Sequence, residues 1–156
     1  MGKIEITKKV LGICATNCYT VVDTETKEAL IIDPADRADV LIRDWKDKGV
    51  TPTTVLLTHG HFDHATGAGE LAQLLQEYPD IKVYAAAEEK EVMESPALNL
   101  SSSFGAAFTA QADIYLEDGA EIEVLGRKCK CLLVPGHTKG GMCYYSPEEN
   151  VVFTGD

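Results

Sequence analysis

No run in the 156-residue sequence is long and apolar enough to cross a bilayer as a helix. The opening Met1-Gly2-Lys3-Ile4-Glu5-Ile6 alternates charged and apolar residues. It has no hydrophobic h-region, so no secretory signal is read and the expected location is the cytoplasm. Positive charge is scarce: 14 Lys and Arg against 25 Asp and Glu leave a formal net charge of −11. A field of that sign excludes non-specific binding to nucleic acid or to an anionic membrane as the expected role. An anionic substrate would need local charge from a metal or a lysine. No linker, low-complexity segment or block of like charge divides the chain. Residues 1–156 are therefore read as one domain, with 45% apolar residues for its core. Cysteine offers no paired framework: the five thiols are odd in number, and in a cytoplasmic chain they are expected reduced and mostly buried. Cys129-x-Cys131 has no second pair and is closer than usual zinc spacings. Cys143 is the better candidate near a site, as a lining residue or a point of oxidative sensitivity.

Histidine is also scarce, with four in the chain, yet three of them fall with an aspartate inside His59-Gly60-His61-Phe62-Asp63-His64. Imidazole and carboxylate are the ligands that zinc-like ions prefer. The preceding Thr54-Val55-Leu56-Leu57 is short, apolar and partly β-branched, as a buried strand should be. After it, Ala65 to Glu77 carries Leu71, Leu74 and Leu75 at helical spacing, with Gly67 and Gly69 near its start. These glycines would allow close approach to the histidine loop, or mark a frayed first turn. The cluster thus falls between a strand and a helix, where α/β proteins bind ligands.

Elsewhere, strands are expected at Ile4–Val10, Asn17–Val22, Ala29–Ile32, Ile81–Ala85, Ile114–Leu116, Glu121–Leu125, Lys128–Val134, Met142–Tyr145 and Val151–Thr154. Asp36 is placed to cap a helix ending at Gly49, with Val40, Leu41 and Trp45 inside. A short charged helix is expected over Glu88–Met93, broken by Ser95-Pro96. Leu98 to Ala110 reads as a mobile loop or short helix near the site mouth. Phe104 and Phe108, four apart, would pack on the core or on substrate. Strands at both ends with helices between suit a layered α+β sandwich.

His59-x-His61-x-Asp63-His64 resembles the signature of the metallo-β-lactamase superfamily. Val134-Pro135-Gly136-His137-Thr138 resembles its second motif, and Phe153-Thr154-Gly155-Asp156 its third. In the second motif, Gly136 is expected to let the chain turn sharply and present His137. The resemblance implies an αββα sandwich and a metal set of His59, His61, Asp63, His64, His137 and Asp156. Asp63 would also serve in catalysis by aiming the attacking water. Two zinc ions are expected in a complete site, bridged by Asp156, with iron or manganese as alternatives. Asn17-Cys18-Tyr19 and Ile31-Ile32-Asp33-Pro34 resemble the family's opening hairpin, in which the Asp33 position orients the metal loop. From the residues alone, Asp33 is equally a turn former before proline.

The family pattern continues to a last histidine beyond Asp156, where this sequence ends. The expectation is a domain without its C-terminal portion, whose uncovered apolar faces invite a homodimer, marginal stability or a partner that fills the gap. The short loops resemble the glyoxalase II-like branch, which implies hydrolysis of an ester or thioester of the hydroxyacylglutathione type. Lys139 is the one lysine in reach for an anionic substrate, or else a solvated surface charge. The alternatives are a lactonase or β-lactamase, a mononuclear iron persulfide dioxygenase, and a metal-binding module without turnover. The family's di-iron flavoprotein branch has an acidic residue where His61 stands and fits poorly.

Overall fold

The apolar runs Ala29-Leu30-Ile31-Ile32 and Val55-Leu56-Leu57 have no polar face, so each strand must be covered on both sides. The computed structural model, which describes residues 2–65, 70–105 and 107–156, places them side by side and parallel at the centre of a six-stranded sheet. Its order is β1 (Ile4–Leu11), β2 (Thr16–Asp23), β3 (Glu28–Ile32), β4 (Thr51–Leu56), β5 (Lys82–Ala86) and β6 (Ile114–Leu116). The first three strands are antiparallel, and β3 to β6 are parallel. A second, antiparallel sheet runs β10 (Val151–Phe153), β9 (Met142–Ser146), β8 (Arg127–Leu133) and β7 (Glu121–Val124).

Alternate residues of the central strands face opposite layers. On one face Ile31, Val55, Leu57 and Val83 pack with Leu41 and Trp45 of α1 (Ala38–Lys48), Leu71 and Leu74 of α3 (Glu70–Glu77) and Met93 of α4 (Lys90–Glu94). On the other, Leu30, Ile32 and Leu56 meet Cys129, Cys131, Met142 and Tyr144 of the second sheet. The result is an α+β sandwich. The described residues supply helix, sheet and sheet, three of the four layers that the resemblance implies. No described helix is long and apolar enough to cross a membrane.

The helix before β4 departs from expectation at its start. Asp36 does not cap it. Arg37 occupies the cap position in a left-handed conformation, and its side chain makes no cap hydrogen bond. The Asp36 carboxylate instead accepts from the Arg37 amide, while Arg37 pairs with Asp39. Ala38, Leu41 and Trp45 form the buried face, with Val40 only half-buried. Gly49 ends the helix at φ 65°, as its freedom from a Cβ allows. The helix expected over Ala65–Glu77 is described at Ala65, within α2 (Phe62–Ala65), and over α3. The expectation for Gly67 and Gly69 lies outside the described residues. Nor do Phe104 and Phe108 share a helical face: the 3-10 turn Ser101–Phe104 ends at Gly105, and the Phe104 ring stacks on Phe62 at 4.7 Å.

Candidate metal centre

Four strand ends converge at one edge of the sandwich. Asp33 follows β3, Thr58 and His59 follow β4, His137 lies between β8 and β9, and Asp156 follows β10. α2 carries Asp63 and His64. Hydrogen bonds within and between the sheets hold these ends in register. Asp33 N donates to Leu56 O, Met142 N to Thr58 O, and the buried Tyr144 hydroxyl to Leu57 O at 2.6 Å.

Three imidazoles, His59, His61 and His137, form a closed trio with ring centroids 4.7–4.9 Å apart. His61 Nδ1 and His137 Nε2 face each other at 3.0 Å. The protonation of His59 follows from its neighbours. The Thr58 hydroxyl gives its one proton to Asp33 Oδ2 at 2.6 Å, so towards His59 Nδ1, 3.1 Å away, it can only accept. The proton therefore sits on Nδ1, and His59 Nε2 is left as a lone pair. That nitrogen is buried with no hydrogen-bond partner among the described residues. An orphaned buried acceptor is costly unless something binds it. Burial, reinforced by the nearby His64, His61 and His137 imidazoles, pulls His59 down to about 2 and keeps it neutral. Burial and then His137 lower His61 as well. Imidazole nitrogens converging in this way suit a zinc-like cation, whose Zn–N bonds of about 2.0–2.1 Å leave tetrahedral ligands roughly 3.3 Å apart.

A second cluster adjoins the first. His64 Nε2 lies 3.3 Å from both Asp63 Oδ2 and Asp156 Oδ2. Its other nitrogen meets Asp33 Oδ2 at 2.8 Å, which turns Nε2 outward. Burial disfavours a proton on His64, yet the bonds to Asp33 and Asp63 outweigh it and push this imidazole up to about 10. Burial likewise works against the Asp63 carboxylate. Bonds from His64 and from the Thr16 hydroxyl at 2.6 Å outweigh it and hold Asp63 below the usual carboxylate range. Asp156 Oδ2 is also 3.7 Å from His137 Nε2, so one carboxylate stands between the two clusters.

All six predicted ligand residues are thus brought to one place, with Asp33 beneath them. Of the other candidates, Cys129, Cys131 and Lys139 are not. Cys129 and Cys131 are buried between the sheets, and Cys143 Sγ reaches the carbonyl of Thr154 at 3.9 Å. Lys139 is exposed and paired with Glu91. Gly136 takes no left-handed turn and has open space around its Cα. The tight glycines of this loop are Gly140, where a Cβ would lie 2.5 Å from Glu89 N, and Gly141, where one would lie 2.8 Å from Val134 O. Sequence reasoning missed Thr16 and Thr58, whose hydroxyls serve Asp63 and Asp33. It also missed Asn99, whose backbone carbonyl takes the Phe62 amide at 2.8 Å. Thr58 directly precedes the histidine motif, which is a usable signal; Thr16 and Asn99 carry none.

The two-sheet fold and its paired clusters define a metal-dependent hydrolase. Residues 11–156 match the Metallo-beta-lactamase superfamily, and the chain belongs to it. It is 32% identical over 148 residues to the probable metallo-hydrolase YqgX of Bacillus subtilis (strain 168), covering 94% of this chain and 67% of YqgX. It is 30% identical over 130 residues to a hydroxyacylglutathione hydrolase of Synechococcus sp., covering 83% of this chain but 43% of that protein. Among solved structures, the BLEG-1 B3 metallo-beta-lactamase superposes with a TM-score of 0.86 at 34% identity, over 96% of this chain and 71% of that one. TTHA1623 in a di-iron-bound form gives 0.76 at 29% identity, over 95% and 70%.

Proposed function

We propose that this chain is a zinc-dependent thioester hydrolase of the hydroxyacylglutathione hydrolase type. The reading rests on one observation: the imidazoles of His59, His61 and His137 converge beside an Asp63–His64–Asp156 cluster, with Asp156 between the two sets. His59, His61 and His137 would hold one ion, and Asp63, His64 and Asp156 a second. Such ions supply Lewis acidity towards a carbonyl and make water a nucleophile near neutral pH. The protein's own contribution is placement. Asp33 fixes the proton on His64 and, through Thr58, on His59. The Thr16 hydroxyl holds one Asp63 oxygen, and Asp63 then aims the attacking water by accepting its hydrogen bond. The substrate is a small molecule presenting a carbonyl at the strand ends. The named hydroxyacylglutathione hydrolase supports the thioester choice, as do relatives named as probable polyketide biosynthesis zinc-dependent hydrolases.

β-Lactam hydrolysis is the second reading, favoured by the 34% identity to BLEG-1. The two are separated by assaying purified chain, loaded with zinc, on S-lactoylglutathione and on a chromogenic cephalosporin. Thioester turnover that disappears in His61→Ala and with chelator supports the first. Cephalosporin turnover without thioester turnover replaces it with the second. Elemental analysis of protein purified without chelator tests the metal, and iron in place of zinc would overturn that part.

A further inference from the structure

The stretch Glu88-Glu89-Lys90-Glu91 reads as a solvated charged face, yet Glu89 is wholly buried. It ends the 3-10 turn Ala87–Glu89 that joins β5 to α4. Its Oε1 accepts the backbone amide of Gly60 at 3.0 Å, and Gly60 is the residue between His59 and His61. Its Oε2 has no hydrogen-bond partner among the described residues. On that side lies the loop carrying His137. A Cβ at Gly140 would collide with Glu89 Oε2 and lie 2.5 Å from the Glu89 amide nitrogen. Gly60 is equally confined, since a Cβ there would lie 2.7 Å from Met93 Cγ and 3.2 Å from Glu89 Cγ. One side chain is therefore wedged between the two loops that carry the three imidazoles.

We infer that Glu89 is a positioning residue for the His59–His61–His137 trio. By accepting the Gly60 amide, it sets the height of the loop on which His59 and His61 stand. By lying against Gly140, it sets the distance from that loop to His137. A buried charged or polar group is retained at a cost unless its bonds are needed. Here the need is the one backbone donor at the centre of the motif, which α2 does not satisfy because Gly60 precedes it. The inference rests on the proposed metal site and assigns it a residue outside the motifs.

The test titrates cobalt(II) into chelator-stripped full chain, following its visible absorption and its affinity. Glu89→Met fills about the same space but removes the acceptor, and Glu89→Gln keeps an oxygen for the Gly60 amide. Glu89→Met is expected to weaken uptake about 10- to 100-fold, as loss of a group that orients ligands does, and to alter the absorption bands. Glu89→Gln is expected to restore both. If Glu89→Met binds and absorbs like the wild type, or if Glu89→Gln falls as far as Glu89→Met, the inference is overturned. Should Glu89→Met fail to fold, Gly140→Ala displaces the same carboxylate from the other side. It is expected to weaken uptake and shift the bands, and unchanged values overturn the inference. Wild-type chain that takes up no cobalt sinks the metal reading itself, an outcome distinct from these.

Discussion

Asp33 serves both clusters with one carboxylate. Oδ1 takes the Thr58 amide at 2.8 Å, and Oδ2 takes the Thr58 hydroxyl and His64 Nδ1. An amide in its place can keep one face of this arrangement but turns a donor towards the other. Asp33→Asn should therefore weaken metal uptake by about 10- to 100-fold, the range seen for groups that orient ligands. Isothermal titration of chelator-stripped protein measures this, and uptake equal to wild type would remove Asp33 from the role. Asp33 was legible as a candidate because it ends an apolar strand next to a proline. Its choice between turn former and orienting group needed the position of His64, which lies 31 residues away.

At the scale of elements, glycines answer to two different constraints. Gly60 lies beneath α4, where an added methyl would meet Met93 and Val92. Overpacking of this kind costs about 1–3 kcal/mol. Gly60→Ala should lower the urea midpoint accordingly with an unchanged slope, and should also disturb metal uptake because the histidine loop must move. Gly49, at the end of α1, has open space around it but a left-handed backbone. Gly49→Ala should cost about 1–2 kcal/mol from backbone strain alone and leave metal uptake unchanged. A urea titration with metal analysis on both variants separates them; equal metal uptake would contradict the packing account of Gly60. α1 itself was legible from Leu41, Trp45 and Gly49. Its start was not, because the left-handed turn at Arg37 is set by how the chain leaves β3, and no local signal announces it.

Across the whole molecule, Arg127 ties one sheet to the other. Buried on β8, it pairs with Asp23 at the end of β2 at 2.8 Å, with Glu149 before β10, and with the carbonyls of Gly2 and Leu125. The Arg127 bond, then the Thr26 amide, hold the Asp23 carboxyl well below the usual carboxylate range. Its folded value thus lies below its unfolded one of about 3.9. The stability it contributes is present above that pH and is lost as pH falls towards the folded value. Asp23→Asn should lower stability at neutral pH and flatten the acid limb below about pH 4. Urea midpoints across an acid series measure both, and an unchanged acid limb would contradict the pairing. Metal acts on the same scale. An ion that binds only the folded chain raises the thermal midpoint with its concentration, so chelator should lower it and added zinc restore it.

The sequence by itself determined the fold class, the strands and the candidate histidine loop. Those signals are local: His59, His61, Asp63 and His64 are close neighbours in the chain, and the apolar runs state their own burial. Tertiary structure alone decided the rest. The meeting of His61 with His137, 76 residues apart, and the wedging of Glu89 under both loops depend on which strand ends come together. That is settled by packing two sheets and a helical layer against each other. A charged run such as Glu88–Glu91 shows the reason plainly. Its composition predicts exposure, and only the approach of Gly60 and Gly140 from distant segments puts one of its carboxylates inside.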